Sequence, residues 1–242
     1  MSIFENQTLA CPACGRELEF PVARSLLADR RPDLRAAVLD GSFQSEHCAH
    51  CGAAFRREPE LNYVDLRRGQ WLLVKPADAL ADWPLLEAQA LGIYELAYGS
   101  LAPPPAQEIG RAMTVRVAFG WPAFREKLLA LDAGLDDIAL ECLKLKLVRT
   151  LDAPALADTV ELRLLSVDPD QGTLLLAWLD ADGERPLETL KVPREVYDRI
   201  AEAPERYAEL RAALAEGPFV DMNRLLIDPA DREALPPEEA AA

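Results

Sequence analysis

Histidine is almost missing from this chain: only His47 and His50 occur in 242 residues. That scarcity excludes poly-histidine metal centres and leaves any distant nucleophile short of an imidazole base. Long apolar runs are missing too, and none approaches the ~20 residues of a membrane helix. The opening Met1 to Ala10 lacks a basic stretch leading into an apolar one, so no secretory signal is expected. No Gly-Lys-Ser/Thr phosphate loop, Gly-x-Gly-x-x-Gly, His-Glu-x-x-His or Gly-x-Ser-x-Gly is found. These gaps remove the familiar nucleotide, metalloprotease and hydrolase signatures, and lower the expectation of an enzyme.

Basic residues are short in one region. The net charge is −15, of which residues 151–242 contribute −12, while residues 66–150 balance to zero and residues 1–65 net −3. An acidic C-terminal third repels polyanions, so non-specific association with nucleic acid or anionic lipid is disfavoured.

Cysteine is sparse, at five, but four are arranged. Cys11-Pro-Ala-Cys14-Gly15 and Cys48-Ala-His-Cys51-Gly52 are two matched knuckles, each with a two-residue gap and a closing glycine. A Cys-x-x-Cys turn aims both sulfurs at one point, and glycine allows the positive φ that turns N–H groups toward them. Two knuckles supply four thiolates, the closed tetrahedral shell of structural zinc, with Zn–S about 2.3 Å. A redox dithiol or an iron–sulfur centre is the alternative; the dithiol needs only one pair in a βαβ context, which is absent. Four thiolates leave no open position for an activated water, so catalytic zinc is not expected. Reduced ligand cysteines fit a reducing compartment, and the expected location is cytoplasmic.

Periodicity supplies the rest of the fold. Leu18 and Phe20 alternate with Glu17 and Glu19 as a short strand from Arg16 to Val22. Leu26 and Leu27 open one expected helix, and Pro32 starts a second, faced by Leu34 and Val38 and stopped at Gly41. Leu61–Val64 and Gln70–Val74 read as strands. Asp82 leads a helix with Leu86, Ala90, Ile93 and Ala97 on one face, and Ala102–Ala106 reads as a stiff polyproline spacer. Met113–Phe119 alternates as a strand; a helix from Pro122 carries Phe124, Leu128 and Leu131, and another carries Leu135, Ile138, Cys142 and Leu145. Beyond 150 the pattern turns to hairpins, through Val160–Leu164, Thr173–Leu179 with a turn at Asp180–Gly183, and Leu190–Val192. Helices follow at Val196–Ile200 and Tyr207–Leu214, and Phe219–Ile227 reads as a last strand.

The two knuckles, the stretch Val115-Arg-Val-Ala-Phe-Gly120 and the following Arg125-Glu-Lys-Leu128 and Leu135-Asp-Asp137 resemble the CpXC domain family of bacteria and archaea. The resemblance covers roughly residues 8–150. Cys11-Pro-Ala-Cys14 has the family's form, whereas Cys48-Ala-His-Cys51 carries alanine where proline is expected, which alters backbone stiffness and leaves ligand chemistry intact. The resemblance supports a metal site and implies no reaction; residues after 150 look like an extension.

Other candidates carry plainer readings. His47 and His50 are expected to face solvent or to tune the sulfurs through hydrogen bonds. Cys142, on an apolar helix face, is expected in the core. Asp136 and Asp137 point about 100° apart on a helix and suit capping of its first turn. Arg24, Arg30, Arg31, Arg35, Arg56, Arg57, Arg67 and Arg68 are the only basic concentration, with carboxylates interleaved. Trp71, Trp83, Trp121 and Trp178 sit at element boundaries, where an exposed one would anchor an interface.

The expected fold is α+β. A four-cysteine zinc ribbon with a helical insert occupies 1–66, and an α/β remainder 67–150. An acidic sheet-and-helix extension follows over 151–228, then a tail over 229–242 without apolar periodicity that reads as mobile. The expected function is a non-catalytic interaction or assembly module with one structural Zn2+, held by Cys11, Cys14, Cys48 and Cys51. Its partner is another protein or a second copy. A nucleic-acid-associated ribbon is the alternative, and an enzyme with a site built from scattered residues the third reading.

Overall fold

The computed structural model describes residues 2–150, 160–180 and 185–227. Its first hairpin pairs strand β1 (Ile3–Ala10) with β2 (Glu17–Leu27), antiparallel, and the first knuckle is the turn between them. Helix α1 (Pro32–Asp40) starts on its proline and ends at Gly41, whose φ of 84° is the left-handed stop that glycine adopts freely. A small antiparallel hairpin follows, β3 (Ser45–His47) and β4 (Ala54–Arg56), with the second knuckle as its turn.

The first hairpin also forms one edge of a five-stranded sheet. Strands β5 (Leu61–Asp65), β6 (Gln70–Lys75) and β7 (Thr114–Phe119) complete the order β1-β2-β5-β6-β7, in which β2–β5 and β6–β7 are parallel and the other pairs antiparallel. Strands on both sides of residue 66 therefore share one sheet. Parallel neighbours need crossovers. Helix α1 and the small hairpin make the first. A 3-10 turn (Ala77–Asp82), helix α2 (Trp83–Ala97) and helix α3 (Pro104–Gly110) make the second.

Alternation along β6 divides the core. Leu72 and Val74 face a layer with Tyr63, Trp121, Phe124 and Leu128, and Trp71 and Leu73 face the opposite one with Ala90, Tyr94, Phe119 and Phe219. Covered on both faces, β6 is a continuous apolar run, as an interior strand requires. Helix α4 (Gly120–Asp132) packs on the first side and leads into α5 (Asp137–Thr150). A second sheet, the antiparallel β8 (Val160–Asp168), β9 (Thr173–Asp180) and β10 (Arg185–Pro193), packs with α6 (Arg194–Ala201) and α7 (Ala208–Leu214) into a core shared with α5. The chain is thus mixed α+β. Among the described residues no helix is long and apolar enough to cross a membrane.

Four local expectations are corrected. Leu26 and Leu27 belong to β2, whose last residues pair with Asn62–Val64 of β5, so tertiary pairing extends the strand past Val22 and overrides helical spacing. Ala102–Ala106 is no spacer: Pro104 opens α3, because proline fits the first turn, where its missing N–H is not needed. Phe219–Ile227 is no strand; Phe219 to Met222 are buried and α8 (Asn223–Leu226) follows. β1 forms where no strand is expected, because its mixed polar and apolar residues carry no clean alternation. The turn at Asp180–Gly183 lies partly, and the tail over 229–242 wholly, outside the described residues.

Candidate metal centre

Both knuckles are built alike. Gly15 N–H donates to Cys11 O and Gly52 N–H to Cys48 O, at 2.9 and 2.8 Å; Cys11 N–H donates to Arg16 O and Cys48 N–H to Ala53 O, each at 2.9 Å. Gly15 and Gly52 have φ of 71° and 73°, so the glycine signal in the sequence has its physical reason. Two hairpin tips of one geometry face each other and bring four sulfurs within 4.8 Å of one another. Cys11 and Cys48 are buried, while Cys14 and Cys51 lie at the surface.

The spacing fits a tetrahedral ion. Cys11 Sγ lies 3.8 Å from Cys51 Sγ, and Cys14 Sγ lies 3.8 Å from Cys48 Sγ. A regular tetrahedron with about 2.3 Å from centre to sulfur has edges of about 3.8 Å. An iron–sulfur cluster needs its cysteines spread around several irons, so sulfurs this close favour a single ion. Charge points the same way. N–H groups of His50 and Cys51 aim at Cys48 and bring its thiol down to about 6. The Arg16 N–H favours the Cys14 thiolate, yet desolvation and the sulfurs of Cys51, Cys11 and Cys48 push that thiol up to about 12. Four sulfurs at this range do not all ionise together without a cation among them.

The remaining candidates fall outside the shell. His47 and His50 are exposed; the His50 ring meets the Arg16 guanidinium at 3.3 Å, and only its backbone serves the sulfurs. Cys142 is fully buried, and burial raises its thiol to about 11, as a core residue. Asp136 Oδ1 accepts the Ile138 N–H at 3.0 Å and so caps α5, while Asp137 is clasped by Arg116 at 2.7 Å and Lys127 at 3.0 Å. Among the arginines, Arg24 pairs with Glu5 and Glu60, Arg31 with Asp33, Arg35 with Asp65 and Asp132, and Arg68 with the same two aspartates. Arg56 stacks over Trp121 at 4.1 Å. None of the four tryptophans is exposed.

A second titratable cluster lies outside every sequence expectation. Glu126 on α4 and Glu141 and Lys144 on α5 are fully buried, with Arg163 of β8, Asp221 and Lys127 nearly so. Lys144 Nζ lies 2.9 Å from Glu126 and 2.8 Å from Glu141; Arg163 pairs with Glu126 at 3.0 Å, and with Asp221. Glu126 also accepts the Leu164 N–H, and Glu141 the Met222 N–H. Glu126, Glu141 and Asp221 bring carboxylate oxygens within 4.8 Å, but the ammonium of Lys144 and the guanidinium of Arg163 already sit among them and take a cation's place. Glu161 and Asp137 add two carboxylates, and Lys127 and Arg116 two cations, so five acids face four bases. Burial, joined by the Asp221 and Glu126 carboxylates against Lys144, pushes the Glu141 carboxyl up to about 7, while Lys144 and Arg163 hold Glu126 and Asp221 below their usual range. A signal for it exists: residues 139–145 of α5 are buried on every side, and a charged pair inside an all-round apolar helix belongs to an interior network.

A family model described as CpXC protein matches residues 9–144, which contain both knuckles. Searches of curated proteins and of solved structures return no match.

Proposed function

Because the chain belongs to the CpXC family, we propose that it is a cytoplasmic zinc-ribbon protein working as an interaction or assembly module. One structural zinc, held by Cys11, Cys14, Cys48 and Cys51, ties the two hairpin tips together. The observation that carries this reading is the four-sulfur shell. Its spacing fits a tetrahedral ion with all positions filled by thiolate, and such a centre neutralises and cross-links without activating water. The central groups of the other titratable cluster, Glu126, Glu141 and Lys144, are fully buried and engaged with one another.

Purified chain is expected to hold one zinc, and Cys48→Ser to lose it together with protection of residues 10–60 from proteolysis, since binding and folding are one equilibrium here. Capture from the native host with mass spectrometry is expected to recover a protein partner or further copies of the chain, lost in Cys48→Ser. Wild type without zinc, or capture that returns neither, overturns the reading. Arg24, Arg31, Arg35 and Arg68 pair with carboxylates, which reduces the free positive charge that the nucleic-acid alternative would use. Labelled duplex DNA and RNA are expected to show no binding at about 0.15 M salt. Submicromolar, salt-sensitive binding abolished by neutralising Arg30, Arg31 and Arg35 would favour that alternative.

A further inference from the structure

Helix α2 turns its inner face, Ala90 and Tyr94, into the core and leaves an outer face almost wholly apolar. Leu85 is 72% exposed and Leu96 66%, with Ala88, Gly92 and the uncharged Gln89 between them, also exposed, and Leu91 beside them at 43%. Residues 85, 88, 92 and 96 follow one another at steps of three, four and four, so they form one stripe along the helix. Leu101, 69% exposed and bonded through its N–H to Glu95 O, continues it past the helix end. No charge interrupts the stripe. The only ionisable acids on α2 are Glu87 and Glu95, and both are engaged at its flanks: Glu87 by Arg224 at 2.7 Å and by the Phe219 N–H, Glu95 by the N–H and hydroxyl of Ser100. On a chain of net charge −15, such an uncharged leucine face is the surface most suited to being covered.

We infer that a second copy of this chain covers it, α2 against α2 in antiparallel register about a two-fold axis near residue 90. The order leucine, small, small, leucine reads alike in both directions. Antiparallel pairing then sets Leu85 beside Leu96 of the second copy and Ala88 beside its Gly92, as an isologous contact requires. A Cβ built on Gly92 meets nothing within 4 Å, so the middle of the stripe is a shallow saddle where two helix backbones approach closely. Of the segments outside the described residues, the one that follows α8 is poorly suited by composition to cover a leucine face. Residues 228–242 carry one leucine among five acids. A partner of opposite charge has nothing here to pair with. This inference rests on the interaction reading above and names its partner.

Sedimentation velocity on the zinc-loaded full chain tests it. The expected species at about 50 μM, a concentration at which a micromolar contact is well populated, has twice the 26.7 kDa of one chain. Its population should rise with salt, because screening relieves repulsion between two acidic copies while the contact itself is uncharged. Leu85→Lys and Leu96→Glu should each weaken association at least tenfold with zinc content and circular dichroism unchanged, as both side chains stand in solvent. The double variant should recover association, because the introduced ammonium then faces the introduced carboxylate of the second copy only in the antiparallel register. A monomer at every salt concentration, a dimer indifferent to either single variant, or a double variant no better than the singles overturns the inference. Partner capture is read separately, so a monomer that still captures another protein sinks this proposal and spares the interaction reading.

Discussion

At the residue scale, Glu141 carries the clearest consequence. It lies in a network of five carboxylates and four cations, of which Glu161, Asp137 and Arg116 are partly open to solvent, and one of its oxygens, Oε1, has no hydrogen-bond partner. A fully buried carboxyl beside two other carboxylates, with one oxygen unbonded, favours holding a proton. The folded carboxyl titrates near 7 against an ordinary value of 4.5, so the unfolded chain sheds this proton first. Between about pH 4.5 and 7 the folded state holds more protons, and stability falls as pH rises; above about 7 this contribution is flat. Glu126, Asp137 and Asp221 have the opposite sign: each is held low by its cations, so their stabilisation is present above about pH 4 and lost in acid. Glu141→Gln keeps the shape, removes the titration and leaves four acids facing four bases. Its stability relative to wild type should therefore improve from about pH 5 to about pH 7 and level off above that in denaturant melts. Parallel pH profiles for the two proteins would contradict this account.

At the element scale, the knuckles were legible because a Cys-x-x-Cys-Gly turn is a local device, with its φ, its N–H donors and its sulfurs inside five residues. The strand at β6 and the helix at α1 were legible by the same logic, from a short apolar run and from Pro32 and Gly41. What could not be read was set from a distance. β2 runs on through Leu26 and Leu27 because β5 is there to pair with it. The charged residues of α5 turn inward because Arg163 and Asp221, from later in the chain, meet them. A similar tertiary constraint sits at Gly69, in the turn between β5 and β6. Its φ is 59°, a Cβ there would lie 2.4 Å from Ala112 O, and its own carbonyl accepts the Thr114 N–H at 2.7 Å, where β7 begins. Gly69→Ala should thus combine left-handed strain with a backbone clash and cost about 2–4 kcal/mol. Gly134→Ala, with φ of 63° and open space around it, is the control and should cost about 1 kcal/mol. Equal losses in chemical denaturation would refute the clash.

At the scale of the whole molecule, the family match ends at residue 144, yet the packing does not. Leu140, Leu143 and Leu145 of α5 share a core with Leu162, Leu174, Leu176 and Trp178 of the second sheet. Phe219 fills the far side of the first sheet beside Trp71 and Phe119, and Pro218 O accepts the Val117 N–H of β7 at 2.9 Å. The ionic network crosses the same seam. Without residues beyond 150, Glu126 loses Arg163 and the Leu164 N–H, Glu141 loses the Met222 N–H, and Lys127 loses the Val220 carbonyl. Removing partners from buried charges costs several kcal/mol for each broken pair, as much as a domain's whole margin of stability. A fragment of residues 1–150 is therefore expected to lose cooperative thermal unfolding and near-ultraviolet circular dichroism. Its zinc should survive, because the two hairpin tips depend on none of these contacts. A fragment that melts in one sharp transition with native aromatic signals would show that the first sheet closes its core unaided, and would reduce the buried network to an accessory of the later residues.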